Sequence, residues 1–314
     1  SMKKAKQGAV PVPKKNLWKQ IAKHWEFYVL LLPGIILTII FKYVPMYGVQ
    51  IAFRDYNPVG GFFGSPWVGL KWFERFFNNY NSIRMIKNTV LLSLYSILWT
   101  FPIPIILALL INQVRWKKFQ RVSQTILYAP HFISTMILCG MLRIFLSPYG
   151  GLISTIIQAF GGKATNLIDS ATAFRTIYIS SSVWQDAGWG TIIYIATLSS
   201  VDVSLHEAAR VDGATPLQRI FYIDIPELVP VIVIQLIMSF GNLMNVGFEK
   251  AYLLQTSLNK ATSEIIANYV YEQGLLKAMY SFSTAVGLFN TVVNIVLLVV
   301  VNTVCKRLSD VSFI

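Results

Sequence analysis

The stretch Glu207-Ala208-Ala209-Arg210-Val211-Asp212-Gly213-Ala214 is the most informative part of this chain, together with Ile223-Asp224-Ile225-Pro226, which follows Gly213 after nine residues. It is polar and favours helix, yet it lies between two long apolar runs. Its alanines give a short helix a slim face that another protein can approach closely, and charged residues surround that face. We therefore predict that it docks onto a cytoplasmic partner; an ordinary connecting loop is the alternative.

The start and stop signals of this stretch predict two short helices. Ser204 stands three residues before Glu207, which is the spacing of a capping box, and predicts a helix from about Leu205. Gly213 is the expected left-handed stop. Thr215-Pro216-Leu217-Gln218 repeats the start signal. The sequence thus predicts a helix, a glycine hinge and a second helix over residues 204–222.

The composition predicts an all-α, polytopic membrane protein. The 314 residues are 54% apolar and only 13% charged, whereas a soluble domain is about 25% charged. Several apolar runs approach the roughly 20 residues that cross a bilayer. The first run is long enough to span, so we expect no cleaved signal peptide. Six transmembrane helices are predicted, at 27–47, 88–112, 122–146, 174–199, 226–247 and 281–305.

The positive charge is distributed as in a membrane protein. The net charge is +13, and seven lysines precede the first apolar run. This is the positive-inside signal rather than a nucleic-acid surface, so lipids and not nucleic acid are the expected partners. An even number of spans then places both termini in the cytoplasm. We predict a basic segment at 1–26, a transmembrane domain at 27–305 and a cytoplasmic tail at 306–314.

Polar stripes on two predicted spans are candidate substrate contacts. Ionisable and amide groups inside a membrane are costly and usually face a cavity or the bundle interior. Hydroxyls and amides beside an aromatic plane suit a sugar; hydrogen bonding between helices is the alternative. The residues of the two stripes follow helical spacing: Ser182, Gln185, Asp186 and Trp189 on the fourth span, and Ser239, Asn242 and Asn245 on the fifth. A third stripe, Asn290 and Asn294, is assigned to contact with a second membrane subunit.

Catalytic and metal chemistry find no support in the sequence. Cys139 and Cys305 lie in apolar runs and are assigned to packing, and the three histidines lack metal-ligand spacing, so we predict no metal site. No paired carboxylates or Ser/His/Asp grouping supports a membrane enzyme. The chain also lacks a Gly-rich phosphate loop. We therefore expect no catalytic residues and no cofactor in this chain.

The chain resembles a known signature: Glu-Ala-Ala, three residues, glycine, nine residues and then Ile-x-Leu-Pro. Ile225 stands in place of the leucine. It is typical of permease subunits of bacterial ATP-binding-cassette importers. The resemblance to the oligosaccharide permeases of the aldouronate and polysaccharide-fragment group extends over nearly the whole chain. It is carried further by Ile51-Ala52-Phe53-Arg54-Asp55-Tyr56-Asn57-Pro58, Ser65-Pro66-Trp67-Val68-Gly69-Leu70, Pro130-His131-Phe132-Ile133-Ser134 and 280–289.

The resemblance implies a type I importer permease in the plasma membrane, with a second homologous permease and two cytoplasmic ATPase subunits that hold ATP and Mg²⁺. It implies also an extracellular, lipid-anchored solute-binding protein and an oligosaccharide cargo. In such permeases the first short helix couples to the ATPase. The residues that this implies as coupling contacts are Leu205, Glu207, Ala208, Ala209, Arg210, Asp212, Gly213 and Ala214. In maltose-type permeases the spans on either side of this motif line the sugar site.

Two other classes remain as alternatives. A secondary transporter of sugars or other small solutes would use an ion gradient; it would not need the capped Glu-Ala-Ala segment and usually has more carboxylates within its spans. A membrane enzyme acting on lipid or glycan is the other. Co-purification of an ATPase subunit separates the importer from both.

Overall fold

The structure is a computed structural model that describes residues 23–163, 166–245 and 247–309. Most of the predicted basic segment and the last five residues of the predicted tail lie outside these ranges. The chain divides into two compact units, one ending at Gln50 and the other beginning at Ile51. In the first unit, helix α1 (Trp25–Thr38) continues through a π-helical turn at Ile39–Tyr43 and a short helix at Val44–Met46, and a 3₁₀ segment, Tyr47–Phe53, crosses into the second unit.

The regular elements in the described part of the second unit are helices. The helices of its first half are α2 (Lys71–Phe77), α3 (Ser82–Thr100), α4 (Pro102–Asn112), α5 (Lys117–Tyr128), α6 (Thr135–Phe145) and α7 (Leu152–Ala159). Those of its second half are α8 (Phe174–Ser199), α9 (Val203–Val211), α10 (Pro216–Arg219), α11 (Ile225–Gly241), α12 (Phe248–Leu254), α13 (Lys260–Ser263), α14 (Ile266–Tyr271) and α15 (Tyr280–Ser309).

Four helical stretches in the described part of the chain are long and apolar enough to span a membrane: Trp25–Phe53, Ser82–Asn112, Pro216–Gly241 and Tyr280–Arg307. They correspond to the first, second, fifth and sixth predicted spans. The third predicted span is instead a pair of helical segments, Lys117–Phe132 and Thr135–Phe145, bent by 93°. The fourth forms helix α8 but does not meet the same criterion. The prediction of an α-helical membrane protein is confirmed, with four such spans or five if the bent pair is one.

Proline accounts for the bend in the third span. Pro130 lies in a 3₁₀ turn, Ala129–Phe132, and cannot donate the backbone hydrogen bond that would continue α5. Ser134 then caps the next helix by accepting a hydrogen bond from the Ile137 N–H at 3.4 Å. The side-chain amide of Gln185, on α8, donates to the Ile133 carbonyl at 2.8 Å and satisfies a backbone group inside the break.

Helix α8 is the centre of the packing. It shares one buried cluster with α3, α6 and α12, and another with α4 and α11. At Gly188 it lies so close to α5 that an added Cβ would overlap the Leu127 carbonyl, which is how small residues bring membrane helices together. A third cluster joins α2, α3 and α15 through Trp72, Phe76, Met85 and Phe282.

Candidate functional site

The segment between α8 and α11, residues 202–224, has the form that its caps encode, with one correction. Helix α9 begins at Val203 rather than near Leu205, because the Asp202 carboxylate caps it by accepting from the Ser204 N–H at 2.9 Å. Ser204 is therefore inside the first turn and is not the cap. Its backbone N–H, and secondarily its side chain, lower the pKa of Asp202 below the ordinary value.

The left-handed glycine stop and the second cap are confirmed. Gly213 has a φ of 79°, and the N–H groups of Gly213 and Ala214 bond to the carbonyls of Arg210 and Ala209, the pattern of a Schellman stop. Thr215 and Gln218 form a complete capping box at the start of α10. The segment is thus a rigid helix pair around one left-handed residue.

A buried carboxylate ties this segment to two membrane helices. Asp224, at the start of α11, is fully buried. One of its oxygens lies 3.3 Å from His206 Nε2 on α9, and the other accepts from Gln113 Nε2, just after α4, at 3.1 Å. No role was predicted for His206 from the sequence. Its contact with Asp224 fixes the position of α9 against the ends of α4 and α11.

The outer face of the segment presents apolar side chains. Leu205 is 47% exposed and Val211 is 88% exposed, although both are aliphatic. Val203, Leu217, Phe221 and Tyr222 are exposed as well. Exposed apolar groups on a polar, well-ordered helix pair are typical of a surface that another protein covers. The other predicted coupling residues, Glu207, Ala208, Ala209, Arg210, Asp212 and Ala214, belong to the same helix pair.

A polar cavity of about 460 Å³ lies among α3, α6, α8, α11 and α12. It receives five of the seven predicted substrate contacts: Ser182, Gln185, Asp186, Ser239 and Asn242. The helical spacing of each stripe therefore did identify side chains that share one cavity. Several of them also bond to backbone: Gln185 to the Ile133 carbonyl, Ser239 to Gln235 and Asn242 to Met238.

The remaining two predicted contacts, Trp189 and Asn245, are not among the cavity-lining residues. Trp189 lies one turn further along α8, where its ring stacks on His131 at 4.5 Å between centroids. His131 Nδ1 in turn lies 2.9 Å from Asp186 Oδ1, so a histidine to which we assigned no chemistry joins both residues. Asn245 accepts a hydrogen bond from the Asn290 amide at 3.0 Å.

The third polar stripe, Asn290 and Asn294, forms hydrogen bonds within the chain. Asn290 also donates to the Met244 carbonyl at 3.2 Å, and Asn294, which is buried, accepts from the Met244 N–H at 2.9 Å. These bonds hold the turn that follows α11. Both asparagines therefore have partners within the chain, and their contact with a second subunit stays a prediction.

The cationic residue of the cavity was not predicted from the sequence. Lys250, on α12, lines it and is 6% exposed. Its Nζ donates to Ser182 Oγ at 2.9 Å, and burial lowers the pKa of its ammonium to about 8. Ser93, Ser96 and Thr100 on α3 were also missed. Their spacing of three and four residues was a visible signal, whereas a lysine after an apolar span looks like an ordinary boundary residue.

Comparison with known proteins defines the class. Residues 81–310, more than half of the chain, match the family described as the binding-protein-dependent transport system inner membrane component. The chain therefore belongs to this family and is a membrane-embedded transport component, not an enzyme. The two alternative classes are not favoured, since the relatives are permease subunits of transport systems.

Among curated proteins, the polygalacturonan/rhamnogalacturonan transport system permease protein YteP of Bacillus subtilis is 41% identical over 297 residues, covering 95% of this chain and 92% of that protein. Protein LplB of the same organism is 41% identical over 280 residues, covering 89% and 88%. A crystal structure of a bacterial ABC transporter that imports the acidic polysaccharide alginate matches with 40% identity and a TM-score of 0.86, covering 94% of this chain and 100% of that one. The fold is that of a type I ABC permease.

A second crystal structure shows the alginate transporter in complex with an alginate pentasaccharide-bound periplasmic protein, and its chain matches with the same identity and TM-score. The family and this complex together identify a periplasmic binding protein as a partner of such permeases.

Proposed function

We propose that this chain is one of two homologous permease subunits of an ATP-driven importer of oligosaccharides released from polysaccharides. The observation that carries the proposal is the 202–224 segment, a capped helix pair with an exposed apolar face, tied through His206 and Asp224 to the membrane helices. Such a segment is suited to a partner whose movement displaces it. In our proposal, the partner is a pair of ATPase subunits that bind ATP and Mg²⁺.

The proposed cargo follows from the cavity and from the relatives. Hydroxyl, amide and carboxylate side chains line one polar space, and similar permeases serve polygalacturonan and alginate transport. We propose that Ser182, Gln185, Asp186, Ser239 and Asn242 contact the sugar there. Trp189 and Asn245 would contact it only along the path next to the cavity. A lipid-anchored binding protein outside the cell would deliver the sugar.

In the proposed topology the chain crosses the plasma membrane six times and both termini are cytoplasmic. Helix α8 would be a span despite its lower hydropathy, since its 26 residues reach about 39 Å at the usual helical rise and its polar groups face a cavity rather than lipid. Closure of the ATPase pair would draw the two coupling segments together and open the path outward. Each ligand would shift the state that it binds better.

The proposal is tested by purifying the tagged permease from its native membranes and reconstituting the complex in proteoliposomes. We expect an ATPase subunit to co-purify in stoichiometric amount. Uptake of labelled polygalacturonate fragments should need internal ATP and external binding protein and should resist an ionophore. The variant Leu205→Glu should lose the ATPase, because it places a charge on the exposed apolar face.

Phe63→Glu is the matched control, since Phe63 is exposed to 91% on a different part of the chain and should leave the ATPase bound. Uptake that persists without ATP and collapses with the ionophore would contradict the proposal. So would equal ATPase recovery with Leu205→Glu and with the unsubstituted protein.

A further inference from the structure

Lys250 is a buried cation that faces the cavity, and no carboxylate in the described part of the chain lies within ion-pair distance of it. Its Nζ donates to one hydroxyl, Ser182 Oγ, and lies 5.5 Å from the centre of the Tyr178 ring. The ion pairs found among the described residues involve other groups. An ammonium has three N–H donors, and Ser182 accepts one of them.

Burying the Lys250 ammonium in this position costs free energy. A buried charge without an opposite charge loses its hydration and regains little of that energy from a neutral hydroxyl and a ring face. The lowered pKa of Lys250, about 8, reflects that loss. At pH 7 most of the molecules still carry the charge, so the cavity holds a positive group that neutral hydroxyls do not balance.

Neither carboxylate of the cavity forms an ion pair with Lys250, although the charge of Asp186 favours the ammonium from beyond ion-pair distance. Asp186 Oδ1 is engaged by His131 at 2.9 Å. Glu249 precedes Lys250 on α12, but it is exposed and forms no ion pair with Lys250. A carboxylate that enters with the cargo would instead meet the ammonium directly. Hydrogen bonds between ionised groups are about twice as strong as those between neutral groups, so this contact distinguishes acidic from neutral sugars.

We propose that Lys250, held in place by Ser182, forms a carboxylate-binding subsite in this cavity and selects anionic, uronate-containing oligosaccharides as cargo. The inference rests on the proposed function, because it assigns a substrate class to the same path. Ser182 is then a positioning residue for Lys250 as well as part of the cavity wall.

The test measures uptake by the complete transporter in proteoliposomes with ATP inside and binding protein outside. The probes are short fragments of polygalacturonate and of alginate, each compared with its methyl-esterified, neutral form of the same length. We expect the unsubstituted transporter to prefer the acidic form. Lys250→Met, which keeps the side-chain length, should lower that preference about ten- to hundredfold, the range expected for a charge-assisted hydrogen bond.

Two further variants make the result specific. Lys250→Arg keeps the charge and should retain the preference for acidic cargo. Lys277→Met removes the same charge from an exposed residue outside the cavity and should behave as the unsubstituted protein. Should Lys250→Met be poorly folded, the ratio of acidic to neutral uptake for Ser182→Ala provides the same information, with a smaller decrease.

The outcomes separate this inference from the proposed function. ATP-dependent uptake of acidic and neutral forms at equal rates, or an unchanged preference in Lys250→Met, would overturn the subsite and leave the importer intact. Uptake that does not depend on ATP would overturn the proposed function and the subsite with it. A preference that falls in Lys250→Met and persists in Lys250→Arg and Lys277→Met supports the subsite.

Discussion

The 202–224 segment and the polar cavity are built in opposite ways. The segment takes its form from consecutive residues, whose caps and glycine stop act over three or four positions. The cavity collects side chains from five helices that are far apart in the sequence. Its form therefore depends on how the helices pack, whereas that of the segment depends on local backbone geometry. A distant packing change should therefore damage the cavity, whereas a local change should damage the segment.

The largest expected effect comes from Gly188→Val, which attacks packing. Because an added Cβ would overlap the Leu127 backbone, α5 and α8 must separate, and no side chain can move aside to relieve the overlap. We expect the free energy of unfolding to decrease by at least about 3 kcal/mol, the upper part of the usual range for overpacking. A melting curve of the purified complex in detergent measures it.

Gly140→Val is its control, because a Cβ at Gly140 meets nothing within 4 Å. Equal melting temperatures for the two variants would show that the cavity does not depend on this close crossing.

Gly213→Val should break the segment and leave the cavity intact. Its φ of 79° lies in the left-handed region, which costs an L-residue about 1–2 kcal/mol and more for a β-branched one. ATP-driven uptake should fall about tenfold, while the melting temperature and the acidic-cargo preference stay unchanged. Gly213→Asn should transport nearly normally, since asparagine tolerates this region. Unimpaired uptake by Gly213→Val would refute the hinge.

The smallest expected effect is a pH dependence of the preference for acidic cargo, and it is confined to the cavity. The cationic form of Lys250 is present below its pKa of about 8 and is lost as the pH rises through that value. The preference for acidic cargo should therefore decrease roughly tenfold between pH 7 and pH 9. Lys250→Arg should show no such decrease, because a guanidinium stays charged. Uptake rates of acidic and methyl-esterified probes across this range provide the measurement.

Other titratable or charged groups also face Lys250. They are Cys139 and Arg143 on α6, Tyr178 and Asp186 on α8, and Glu249 on α12. The Lys250→Arg comparison removes their contribution, since it leaves all of them in place. A decrease that persists in Lys250→Arg would assign the titration to one of these groups instead.

The two regions were not equally predictable from the sequence. The second capping box and the hinge could be located because each signal lies within a few residues of the structure that it specifies. The first cap was misplaced by two residues because Asp202 competes with Ser204 and captures the helix start. Even this error was local, and it did not change the helix pair.

The cavity was only half predictable. Helical spacing showed that Ser182, Gln185 and Asp186 share a face, and the structure places all three on one cavity. Spacing along a helix cannot show which other helix lies opposite, so the approach of Lys250 to Ser182 had no signal in the sequence. The 93° break was likewise missed. Pro130 indicated a kink, but its angle depends on the packing of α8 against the broken ends.

The burial of Asp224 has a mechanical consequence. The buried Asp224 carboxylate lies 3.3 Å from His206 on α9 and accepts a hydrogen bond from Gln113 at 3.1 Å, so α9 is in contact with the ends of two membrane helices. In the proposed importer, a displacement of α9 would therefore turn the ends of α4 and α11 together. The segment would act as the short arm of a lever, and the load would be shared between two membrane helices.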